Sequence, residues 1–579
     1  MVNPHQIITA KQLLGKLARK ELEGREWVVK DDLLIINTTE YNKLHFKNIT
    51  FKKTVKIGFS TIQFGVFFEN CEFFEPVSIE RLVCNSYSNN ENIDNCNILF
   101  SACKASYIHI RNKSEFLRDI KFTNECNIEN LLITDTKIAK SGGVQINNSS
   151  ISGILDLSSI TGNIQINNNE LYKLRVNSCT GDFSIIKSTF HDWVQIRNLE
   201  CPISLVFNDN IFEDKVDISG SRLKHFSIIG DTFQKKIKLE NRDTSNGLPT
   251  HLNELYIREV TFMEVGEFDG LGEQINQIKI PITPKLIGTL KIENWKVGEL
   301  NIHGINQNLK LILSQLLVKR IAMIGFTNYG DITFERCSAD NTNFKTELAP
   351  NSSMMLAHAD LGRTKFIEFD FNSFDFIRVI NSSFNEIYTS NVVWFDENKL
   401  QIEDDNQNEV KIAKRTREVY RQLKQSLKAS GNQIDSLEFQ AREMKSYRKE
   451  LKFQGKDYKM SDRVIMSVNM SNDYGLSWLK PAVIILCITL IFYTFMLPLF
   501  SEDLNYTLAK NRGEINNTFS QWFNNFNVFW QLFNPVRKFS TVYGEIESSW
   551  LQFFDLIHRI ILGILIYQII KGFRRFASK

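Results

Sequence analysis

From about residue 40 to about residue 395 the chain alternates short apolar pairs with polar residues at a nearly constant interval. The stretch GVQINNSSISGILDLSSITGNIQINNNELYKLRVNSCTGDFSIIKSTFHDWVQIRN (143–198) shows it best. Apolar residues recur about every ten positions at Ile146, Leu157, Ile166, Val176, Ile185 and Ile196, then at Ile218, Ile228 and Leu239. Others fall near the middle of the intervals, at Ile151, Leu171, Phe190, Phe212, Leu223 and Phe233. Persistent internal periodicity marks a solenoid, here with roughly five residues per side and about 20 per coil. Asn147, Asn167, Lys187 and Asn208 share one phase of that coil, and Asn177 and Asn198 another. Asparagine suits the corners of stacked parallel coils, where it tolerates left-handed backbone and can bond the next rung. An antiparallel sandwich has similar strand spacing but no reason to hold phase over such a length.

The expected architecture is therefore mainly β: a right-handed parallel β-helix, pentapeptide-like, over residues 31–400. About 14 to 17 coils at ~4.8 Å each would make a rod of roughly 65–80 Å. Open rod ends invite aggregation unless covered. Thr9-Ala-Lys-Gln12 starts a helix with a capping box, and Leu13, Leu14 and Leu17 line one face. The spacing predicts a capping helix over 7–23, within an N-terminal unit 1–30. The Phe-rich segment 364–394 reads as the last coils, with rings stacked inside the rod.

After Asp404–Glu409 the apolar period becomes helical. Ile412, Val419, Leu423 and Leu427 form one stripe closed by Gly431; Ile434, Leu437, Ala441 and Met444 form a second. This predicts a helical hairpin neck over 405–472. Its basic face, including Arg415, Lys424, Lys428, Arg442 and Arg448, is expected to meet anionic headgroups at ~1 kcal/mol per charge.

Two long apolar runs then predict a transmembrane module over 473–579. Pro481–Phe500 carries no charge, and Trp550–Ile570 contains Asp555, His558 and Arg559. Helices of this length, about 479–500 and 550–571, cross a hydrocarbon core of ~30 Å. Tyr474 and Trp478 are placed as interfacial anchors. Asp555, Arg559, Gly563, Tyr567 and Lys571 step by four and share a face. A charge at mid-bilayer costs ~2.5–3.5 kcal/mol or more, so this face must avoid lipid. It can do so by pairing Asp555 with Arg559, by facing the first span, or by lining an oligomer axis that would include His558. Between the spans Phe519, Trp522, Phe523, Phe526, Phe529, Trp530 and Phe533 keep helical spacing. They predict a helix over about 518–533, interfacial or re-entrant, with Trp522, Phe526, Trp530 and Phe533 as its markers. Thr541-Val-Tyr-Gly544 resembles a potassium-filter sequence but lacks one glycine and stands apart from that helix.

Charge and cysteines refine the picture. Net charge is only +3, so no global basic field points to nucleic acid. Bases crowd before the first span and after the second (Lys571, Arg574, Arg575, Lys579), while loop 501–549 is balanced. By the positive-inside rule both ends lie in the cytoplasm. The N-terminus has no apolar leader. The 9 cysteines are scattered, without CxxC pairs, as in a reducing compartment. The 9 histidines form no metal motif, and HExxH, GxSxG and the phosphate-binding GxxxxGK[ST] are missing. Neither metal, cofactor nor enzymatic activity is expected.

Together the pentapeptide-like coils, YRQLKQSLKASGNQIDSLEFQAREMKSY (420–447), SNDYGLSWLKP (471–481) and RIILGILIYQIIKGFRRF (559–576) carry a resemblance. The chain resembles bacterial membrane proteins with a cytosolic pentapeptide-repeat-like β-helix followed by a two-span, ion-channel-like module. The resemblance covers nearly the whole chain. It implies an inner-membrane protein, homo-oligomeric and tetrameric if channel-like. It also implies that the β-helix senses a cytosolic ligand or partner and gates the module, in the manner of an anti-phage effector. A membrane-anchored scaffold without conductance fits the same residues.

Overall fold

The computed structural model describes residues 6–19, 26–85, 96–139, 141–240, 250–340, 351–403, 408–455, 459–500, 520–544, 546 and 548–577. Two compact units divide the chain: Met1–Ser382 with Ile387–Gln401, and Ser383–Glu386 with Ile402–Lys579.

The first unit is a parallel β-solenoid of about 16 turns. The predicted period sets its register. Ile146, Ile166, Ile185, Phe207 and Ile228 stack as direct partners on one face, Leu157, Val176, Ile196, Ile218 and Leu239 on a second, and Ile151, Leu171, Phe190, Phe212 and Phe233 on a third. All of them are buried. Parallel pairing of identical phases rules out the sandwich, whose neighbours would run antiparallel. Rings stack from rung to rung, as in Phe46–Phe68–Phe100–Phe122 with centroids 5.1, 4.9 and 5.0 Å apart. Each buried ring contributes on the order of 1.5–3 kcal/mol by leaving water.

The corners are left-handed, but one residue later than the sequence phase implies. Asn148, Asn168, Lys187 and Asp209 take φ of 49°, 55°, 50° and 56°, as do Ser178 and Asn198 at 54° and 51°. Lys187 and Asn198 fall where expected; Asn147, Asn167, Asn177 and Asn208 instead end the preceding strands. The shift has a physical reason. Each left-handed residue turns the next side chain inward, where a small polar group can bond the strand it has just left. Along one corner this inward position reads Cys71, Cys103, Cys126, Ser149, Asn169, Ser188, Asn210, Asp231, and all eight are buried. The thiol of Cys126 and the hydroxyls of Ser149 and Ser188 bond carbonyls of the preceding strands at 3.0–3.3 Å. Further along, backbone N–H groups of Ser149, Asn169, Ser188 and Asn210 donate to the side chain one rung on, at 2.8–3.1 Å. A polar ladder therefore runs inside the apolar column without an unpaired member.

The capping box is formed in both directions, Thr9 N–H to Gln12 Oε1 at 2.9 Å and Gln12 N–H to Thr9 Oγ1 at 3.3 Å. The helix it starts, α1 (Ala10–Ala18), is shorter than the predicted 7–23. Residues Gln6–Ile8 pair instead with Trp27–Val29 as a strand of the first rung, and 20–25 lie outside the described residues.

The second unit is helical. Helix α2 (Glu409–Ala429) and helix α3 (Gln433–Gln454) form the predicted hairpin, with Gly431 left-handed at φ 82°. Helix α4 (Met460–Met470) adds a third element where only a lead-in was expected. Helix α5 (Leu479–Phe500), helix α6 (Phe526–Leu532), helix α7 (Phe539–Tyr543) and helix α8 (Ser549–Ala577) complete the unit. In the hairpin the predicted α3 stripe is buried in part: Ala441 is buried, and Leu437 and Met444 are half-buried. Ile434 is exposed, and Ser436, Phe439, Glu443, Ser446 and Glu450 turn inward. They do so because α2 offers partners: Lys424 Nζ lies 2.6 Å from Glu443 and Arg417 Nη1 3.1 Å from Glu450.

Asp231 closes the corner ladder, and burial lifts its carboxyl to about 7. The folded chain thus binds the extra proton between the ordinary aspartate range near 4 and pH 7. The Asp231 contribution to stability is therefore expected to be most favourable below pH ~4, to fall as pH rises towards ~7, and then to level. In Asp231→Asn that component of the slope disappears, whatever the variant's absolute stability. Denaturant unfolding of both proteins across this range is the check.

Candidate functional site

Helices α5 and α8 are each long and apolar enough to cross a membrane, and only 28% of the most apolar window of either is buried within the structure. They pack side by side through Ile485, Leu562 and Leu565. The aromatic connector does not trail away from them. After a helical turn at 520–524 the chain bends at Asn525 into α6, whose Phe529 and Leu532 bury against Tyr493, Met496 and Leu497 of α5 and Leu551 of α8. Tyr493 Oη donates to the Trp522 carbonyl at 2.5 Å, and Trp522 Nε1 donates to Thr494 Oγ1 at 3.3 Å. Phe526 stacks on Phe529 with centroids 4.8 Å apart, Trp530 is exposed, and Phe533 reaches the Ile485–Leu562–Leu565 cluster. Phe519 lies outside the described residues.

The next residues carry the chemistry. Asn534-Pro535 ends α6, and Arg537 turns inward until its side chain is only 3% exposed. Its Nη1 donates to the carbonyls of Leu532 and Asn534 at 2.7 and 3.2 Å, satisfying the free end of α6. Nε and Nη2 grip Asp555 Oδ1 at 3.0 and 2.5 Å. Nη2 also approaches His558 Nδ1 at 3.1 Å. A guanidinium has no acceptor, so Nδ1 accepts and the imidazole proton sits on Nε2, 3.3 Å from Thr489 Oγ1 of α5. Tyr543 Oη donates to Asp555 Oδ1 at 3.3 Å, and burial beside that carboxylate pushes the Tyr543 phenol well above its usual range. Arg559 Nη2 takes the other carboxylate oxygen at 2.7 Å. The cluster joins α5, the connector and α8 through one carboxylate. Asp555 lies ~9 Å and His558 ~14 Å along α8 from its start.

The predicted stripe therefore divides. Asp555 and His558 are enclosed by their own chain; Arg559 is half-buried, and its Nε has no bonding partner among the described residues. Gly563 has no neighbour among the described residues within 4 Å of where a Cβ would stand, and Tyr567 is exposed. Among the three escapes open to this face, pairing of Asp555 with Arg559 and contact with α5 are both present. Thr541–Tyr543 lie in α7 with Gly544 as its cap, so these residues make a helix end and not an extended filter. The predicted headgroup contacts are partly engaged elsewhere: Lys424 with Glu443, Arg442 with Glu438 at 2.6 Å, and Arg415 with the Glu403 carbonyl at 2.6 Å. Lys428 and Arg448 are exposed.

Sequence reasoning missed Arg537, Tyr543 and Thr489. The signal for Arg537 is its position: it is the first basic residue after the Asn-Pro break that ends an aromatic helix. Among the described residues no group of three or more His, Cys, Asp or Glu could hold a metal ion.

The class defined is a parallel β-solenoid joined to a helical unit with two helices able to cross a membrane. No family model, curated protein or solved structure matches the chain.

Removing one member of a buried ion pair leaves the other uncompensated, at a cost of about 3–5 kcal/mol. Arg537→Ala and Asp555→Ala are each expected to destabilise the helical unit by that order. The double variant should lose clearly less than the sum, because neither charge is then left alone. Thermal melts of the detergent-extracted protein, run as a double-mutant cycle, measure the coupling.

Proposed function

We propose that this chain is a membrane-anchored β-solenoid. Helices α5 and α8 cross a bacterial inner membrane, both chain ends face the cytoplasm, and the solenoid is a scaffold that holds a protein or ligand partner on its side faces. The observation that carries this reading is the division of α5 and α8: their outer faces stay apolar and uncovered, while the Asp555 carboxylate and the His558 ring are bonded inside the chain. A soluble core helix would bury most of its apolar surface, and a span with an unpaired carboxylate would need water or a neighbour. The excess of bases beside the start of α5 and the end of α8 supports the orientation.

A second reading is favoured by the connector. A helix–turn–helix segment dips between the two long helices as far as Thr489 and His558, the plan of a two-span channel subunit. On this reading copies assemble around α8 with Arg559, Gly563 and Tyr567 at the seam. Partner binding to the solenoid then opens a conductance, an anti-phage effector in the sense of the resemblance.

One exchange separates them. Replacing 478–579 by an unrelated two-span hairpin is expected to keep the protein in the membrane fraction and leave partner capture by the solenoid intact. In parallel, proteoliposomes of the native chain should hold their ion gradient. Ion flux through the native chain when its solenoid partner is added, absent from the chimera that still captures that partner, would favour the effector.

A further inference from the structure

Helix α4 leaves an apolar face uncovered that neither reading uses. One side of α4 is buried: Met466 packs with Ala441, Leu451 and Tyr474. The other side turns Met460, Val464 and Ile465 outward at 73%, 58% and 53% exposure, with half-buried Val468 between them on the helical wheel. Phe453, at the end of α3, is 44% exposed.

The position of α4 along α8 gives that face its meaning. Lys571 Nζ donates to Asn469 Oδ1 at 3.1 Å, and buried Asn472 donates from Nδ2 to the Gln568 carbonyl at 3.2 Å. Trp478, just before α5, stacks on Phe573 with centroids 5.3 Å apart. Helix α4 thus ends against the last turns of α8, beside the first turn of α5. Both long helices have the same end there. Exposed Lys449, Lys452, Lys459, Arg463 and Lys480 surround it. Among the described residues the acids facing them are Asp462 and Asp473, the latter 3.7 Å from Lys480. Bases exceed acids, and an apolar strip lies between them.

We propose that α4 is an interfacial helix that docks on the anionic leaflet of the bilayer, with Met460, Val464 and Ile465 among the acyl chains and the surrounding lysines and arginine at lipid phosphates. The inference rests on the membrane reading above and adds a third, parallel element to the anchor. It fixes the end of α3, and so the neck, at the membrane surface.

The full chain in liposomes tests this. Of the 9 cysteines only Cys487 is exposed, so Cys487→Ser supplies the background. A small environment-sensitive fluorophore is attached at Ile465→Cys, at Gln425→Cys on the exposed side of α2, or at Phe495→Cys, in vesicles of phosphatidylcholine with or without phosphatidylglycerol. Quenching by nitroxide low on the acyl chain should be roughly two- to threefold stronger at 465 than at 425, and stronger with the anionic lipid. Aqueous iodide should show the reverse order. Equal iodide access at 465 and 425, with 495 still quenched from the lipid, overturns the docking of α4 and leaves the spans in place. A label at 465 shielded from both quenchers means a protein covers the face, and equal quenching without phosphatidylglycerol means charge plays no part; either overturns the proposal. Iodide access at 495 removes the membrane reading itself.

Discussion

A carboxylate enclosed by apolar helices must find its positive partner and its hydrogen bonds within reach, because water cannot supply them. Asp555 shows how much structure that requirement organises. Its oxygens collect Arg537, Tyr543 and Arg559. To deliver Arg537 the connector must stop α6 at Pro535 and turn inward; to deliver Tyr543 it must rise again as α7. His558 then follows from Arg537, since the guanidinium fixes its tautomer and points its remaining proton at Thr489 of the other long helix. Remove the carboxylate and the inward turn at Arg537 loses its charged partner, so only the apolar packing of Phe529 and Leu532 and the Trp522 hydrogen bonds hold the connector in place.

The solenoid obeys the same requirement with weaker groups. Its column is apolar on every face, yet each corner must redirect the backbone and leaves donors and acceptors that strands alone do not pair. Thiols, hydroxyls, amides and finally the Asp231 carboxyl occupy one inward position in succession. The occupant matters less than its reach, which is why cysteine, serine and asparagine alternate there. It also explains three of the buried cysteines: Cys71, Cys103 and Cys126 are small donors to carbonyls.

The two units were legible in the sequence to different degrees. Periods of ten and five residues placed the buried ladder from Ile146 to Leu239 correctly, because side-chain burial in stacked coils repeats with the chain itself. Corner phase was missed by one residue, since Asn147 and Asn148 are the same residue type and only backbone geometry distinguishes them. The stripe on α3 finds Ala441 but leaves out Glu443 and Glu450, which look like solvent residues until Lys424 and Arg417 arrive from another helix. Arg537 was hidden for a related reason. Its role depends on a three-dimensional return of the connector, which no local pattern in Val536-Arg537-Lys538 records. Helix α1 came out short because Gln6–Ile8 is claimed by the first rung, a tertiary pairing that overrides local helix signals.

The rung-by-rung stacking has one further consequence. Every turn of the coil touches only the turn before and the turn after, so no central nucleus holds the whole together. Loosening that begins at one terminus can travel inward a layer at a time, and the lifetime of the folded column is then set at its two faces. Residues as modest as Leu13, on the buried side of α1 at the first layer, guard hundreds of others.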